Sequence, residues 1–148
     1  MDKDAFFLRV AHALAGCQLV EQELKLYITE ALLLVAKCVD GRLSFRMNGE
    51  DYEKDSLGGL IQVFEKLSDN GELVRQLKDF TRKRNTLSHQ GITRCLDYEG
   101  DISLTDAAKY EQQLLAIEAD AERLRIALHN EANKFRGDLY FDPIPDAG

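Results

Sequence analysis

Apolar side chains recur at alternating three- and four-residue steps through two long stretches of this chain, the spacing that lines one face of an α-helix. The first stretch, from Asp4 to about Val39, includes Phe6, Val10, Leu14, Cys17, Leu24 and Ile28 and predicts a long helix with Gly16 as its bending point. The last, carrying Tyr110, Leu114, Ile117, Ala121, Leu124 and Leu128, predicts a long final helix. A stripe this regular packs along another long helix, in the same bundle or in a partner chain.

Two shorter segments lie between them. Gly41, Asn48 and Gly49 break the helical period and mark a connection with room for a short hairpin, closed by Asp55 or Ser56 as a helix cap. Leu57 to Leu67 then reads as a short amphipathic helix whose paired glycines, Gly58 and Gly59, would let another backbone approach. Asp69 or Asn70 caps a third helix with Leu73, Leu77, Phe80, Arg84 and Leu87 along its seam, ended by Gly91. Ser103 and Asp106 resemble a capping box for the fourth helix. The expected architecture is all-α, an antiparallel four-helix bundle over residues 1–136 with an irregular tail over 137–148.

Composition supports one globular domain: 148 residues, 45% hydrophobic and 30% charged, suffice for a core without metal or disulfide. Cys17, Cys38 and Cys95 are odd in number and scattered, the pattern of reduced thiols in a cytoplasmic protein. The start lacks a secretory signal, and the most apolar run, Glu30 to Val39, is far shorter than a membrane span, so no membrane partner is expected. A net charge of −7 argues against sequence-independent binding to long nucleic acid, so any phosphate contact must be local.

That locality has a candidate. Residues Gly71 to Cys95 hold Arg75, Lys78, Arg82, Lys83, Arg84 and Arg94 against Glu72 and Asp79, a local +4 that leaves −11 for the rest of the chain. Cations in a helix's last turn favour its dipole, which accounts for Arg82 and Lys83. It does not account for Arg84, a charge where the seam asks for an apolar side chain. An arginine buried there needs an acid, a groove or a subunit interface. No ligand spacing for a metal is present: His12, His89 and His129 are far apart, and the acidic run Asp97, Glu99 and Asp101 lacks the glycine and closing glutamate of a calcium loop. No cofactor is expected.

The six residues R-N-T-L-S-H, with Arg84, Asn85 and His89 in the defining places, resemble the R-x(4)-H motif of HEPN domains. The resemblance implies a helical homodimer in which two copies of Arg84 and His89 form one groove, the composite catalytic site of a metal-independent endoribonuclease. Histidine exchanges protons near neutral pH, so two of them suit the attacking 2′-hydroxyl and the leaving oxygen, with Arg84 stabilising charge on the phosphoryl group. Asn85, Arg82, Lys83, Ser88, Lys78 and Arg94 are the candidate substrate-binding residues, for RNA. The family also suggests a toxin-like hydrolase in stress response or phage defence, regulated by an antitoxin or other protein. Gly91 stands where the toxin–antitoxin branch often has a tyrosine, so control through that tyrosine is not implied. The alternative is a non-catalytic dimerisation module of HEPN type that binds a protein or a nucleotide.

Overall fold

In the computed structural model, residues 3–88 and 104–141 are described. Four α-helices and one short 3-10 helix account for nearly all of them: α1 (Lys3–Val39), the 3-10 helix Gly49–Tyr52, α2 (Leu57–Leu67), α3 (Gly71–Thr86) and α4 (Leu104–Tyr140). The two 37-residue helices are each ~55 Å long. None of the described helices is long and apolar enough to cross a membrane.

Interhelical contacts fix the directions. Arg9 meets Glu118, Gly16 packs on Ala121, Tyr27 on Phe135, Glu30 on Arg136, and Lys37 reaches the Asp138 carbonyl. Partners ascend together, so α1 and α4 run parallel and the expected fully antiparallel bundle is corrected. Only α3 runs the other way: Asn70, Gln76 and Lys83 meet Glu131, Arg123 and Asp120 in descending order. The physical reason is the long connection after α1, which folds back along that helix before α2 starts. Gly41, at φ +78°, turns the chain out of α1, and Gly49 then rests against the Thr29 side chain. A residue with a Cβ would collide with Thr29 there, which is what this glycine is for.

The connection carries no hairpin. Asn48 accepts the Glu50 amide and its own amide donates to Asp51, a capping box that turns the segment into the 3-10 helix. Ser56 caps α2 through the Gly59 amide, and Asn70 caps α3 through the Leu73 amide. Gly58 and Gly59 do not admit a close backbone: a Cβ at Gly58 would touch nothing, and one at Gly59 only Asp55. Gly16 does not break α1; it brings that helix against α4, with an added Cβ 3.1 Å from that of Ala121.

The core is continuous through all four helices, with Phe6, Leu24, Phe64, Phe80, Leu114 and Leu124 at no more than 1% exposure. Tyr27 ties three of the helices together, its ring edge-on to Phe64 at 4.8 Å and to Phe135 at 5.3 Å. Helix α4 continues to Tyr140, past the expected boundary at 136, where Lys37 donates to the carbonyls of Asp138 and Leu139. These bonds satisfy acceptors that a helix end leaves open.

Two buried carboxylates sit in this frame. Glu30, at 4% side-chain exposure, accepts two hydrogen bonds from Arg136, Nε to Oε2 at 2.8 Å and Nη2 to Oε1 at 2.9 Å. Glu131 accepts from Ser68, Asn70 and Lys134, and so fastens the α2–α3 turn to α4. Burial alone would raise the Glu131 pKa. The bonds from Asn70 and Lys134, the Lys134 charge and the Ser68 hydroxyl outweigh it and hold the carboxyl below the ordinary value.

Candidate functional site

The candidate residues occupy the last turns of α3, and successive positions 100° apart send them in different directions. Arg82 is exposed and pairs with Asp79 on its own helix. Lys83 turns toward α4, 3.7 Å from Asp120. Arg84 turns toward α1, its Nη1 donating to Glu21 Oε1 at 3.2 Å. Asn85 and Ser88 are exposed. Lys78, nearly two turns earlier, faces α2 and pairs with Glu65 at 3.1 Å. His89 and Arg94 lie outside the described residues, as do Cys95, Gly91, the acidic run and the proposed capping residue Ser103.

Of the candidates, Arg82 and Lys83 come together on one feature, a cleft of about 400 Å³ between α3 and α4 lined also by Thr86, Leu87, Gln113, Ala116 and Ile117. Arg84 is on the other flank of α3. There its seam position is half-buried, at 29% side-chain exposure against 28% for Glu21. The charge that breaks the apolar pattern is thus matched by an acid from α1. Cys17 sits beside this pair; burial, with Glu21, raises its thiol pKa against the opposing pull of Arg84.

Glu21 is the residue that sequence reasoning missed. It lies four positions after Cys17 and three before Leu24, both buried, so its spacing places it at the edge of the apolar face. Glu131 carried a plainer signal: three residues beyond Leu128, it continues the α4 stripe with a carboxylate. His129 joins the Arg136 cluster, its Nδ1 3.0 Å from Arg136 Nη1.

No family model matches the chain, and neither the curated proteins nor the solved structures contain a match. What points to function is the motif and the surroundings of Arg84.

Proposed function

We propose that the protein is a metal-independent endoribonuclease of HEPN type that acts as a homodimer. The observation that carries the reading is the setting of Arg84, the one charge on the α3 seam. A carboxylate from a second helix holds it at a single Nη1 position, and no other acceptor among the described residues takes its remaining donors. A guanidinium has five N–H donors. Bound by Glu21 through one nitrogen, Arg84 keeps donors for a phosphoryl oxygen, the contact that transition-state stabilisation needs.

In this mechanism His89 of one copy takes the proton of the ribose 2′-hydroxyl as its oxygen attacks phosphorus. His89 of the other copy protonates the departing 5′-oxygen. The products are a 2′,3′-cyclic phosphate and a 5′-hydroxyl. Arg84 stabilises the phosphoryl oxygens, and Asn85, Ser88, Arg82 and Lys83 contact the RNA backbone.

Charge pairing favours the second reading, a non-catalytic dimerisation module. Lys78, Arg82, Lys83 and Arg84 each have a carboxylate in the same chain, which weakens the field that would attract phosphate. Incubation with mixed RNA in EDTA separates the two. The enzyme leaves cyclic phosphate ends, and His89→Ala or Arg84→Ala lowers cleavage by roughly 100-fold or more without loss of helicity. RNA left intact at high protein concentration by wild type and variants alike counts against the enzyme and favours the module.

A further inference from the structure

Opposite its core-facing residues, α1 carries a row of exposed leucines on a face that the chain's own connection touches at Thr29. Leu8, Leu19, Leu26 and Leu33 are 59%, 49%, 44% and 48% exposed. At 100° per residue they fall, with exposed Ala15, within a ~40° arc opposite the core. Their positions keep a seven-residue repeat, with His12, Gln22 and Thr29 completing the alternation of three- and four-residue steps. A seam of this kind, ~37 Å long, suits another helix of similar length.

We infer that this face binds the same face of a second copy, the two α1 helices running antiparallel about a two-fold axis between Val20 and Glu21. The order of residues favours self-pairing in this register. It sets Leu8 opposite Leu33, small Ala15 opposite large Leu26 and Leu19 opposite Gln22. At both ends of the seam it also sets acidic Asp4 opposite basic Lys37, both exposed. A shift by one heptad loses a terminal leucine layer and separates these charges. Lys37 also donates to the Asp138 and Leu139 carbonyls at this end of the seam. Two-fold symmetry makes every such contact occur twice.

This interface is independent of the ribonuclease reading, because it uses the surface of α1 away from Glu21 and Arg84. If copies also meet through the motif, wild type assembles as a dimer of dimers.

Sedimentation velocity at micromolar concentration provides the test. Wild type should be dimeric or tetrameric, and Leu26→Glu should halve its mass with an unchanged helical circular-dichroism spectrum. Asp4→Lys should weaken association by about two- to tenfold, and Asp4→Lys with Lys37→Glu should recover part of that loss. A monomeric wild type, or Leu26→Glu at unchanged mass, overturns the proposal. RNA cleavage by Leu26→Glu, measured in parallel, distinguishes failure of this interface from failure of the ribonuclease reading.

Discussion

Replacing Arg136 with alanine should be the most damaging single change to the described ion pairs. The guanidinium meets Glu30 through two hydrogen bonds, while Glu30 keeps 4% of its side-chain exposure and Arg136 18%. The substitution leaves a largely buried carboxylate between α1 and α4 without its cation. Breaking a buried pair from one side costs about 3–5 kcal/mol. The lower end applies because Arg136 is partly wet, so about 3 kcal/mol is expected. For a domain of this size that lowers Tm by roughly 10 °C. Replacing both partners, Glu30→Met with Arg136→Met, removes charge and unmet carboxylate together and should restore most of the loss. Thermal denaturation followed by circular dichroism measures all three variants. An Arg136→Ala protein within about 1 °C of wild type would refute the reasoning, as would a double variant no better than the single one.

Glu131 gives a pH signature. Its folded pKa lies below the ordinary carboxylate value of 4.5, so its contribution is complete above that pH and is lost as pH falls through the folded value. Denaturant titrations should therefore show wild type losing more stability than Glu131→Gln on acidification from pH 5 to pH ~3. Gly49→Ala should cost about 1–3 kcal/mol through collision with Thr29. Thr29→Ala should recover part of this in chemical denaturation. Cys17 is 4% exposed and its thiol pKa is raised, chiefly by burial, so maleimide labelling followed by mass spectrometry should modify Cys38 well before Cys17.

The helices were legible because their signals are local. Leu57 to Leu67 was bounded by a capping serine and by the break at Ser68, and the structure has those same limits. The seam of α3 also held, with Leu73, Leu77, Phe80 and Leu87 buried and Arg84 the half-exposed exception. Direction was not legible. Periodicity is the same whichever way a helix runs, and the parallel course of α1 and α4 depends on a connection that doubles back through Gly41 and Gly49. The partner of Arg84 was hidden for a related reason. Glu21 is 63 residues away, and no spacing rule links positions on different helices. At the motif itself, Arg84 is placed and His89 lies outside the described residues, so sequence still contributes half of the catalytic proposal.

The parallel course of the two long helices also separates the ends of the described chain. Lys3 begins α1 at one pole and Tyr140 ends α4 near the other, ~50 Å away along the axis. Covalent circularisation would need about 15 or more extended residues from Tyr140 round to Lys3. Fluorophores attached near these two residues would report a long separation in the folded monomer.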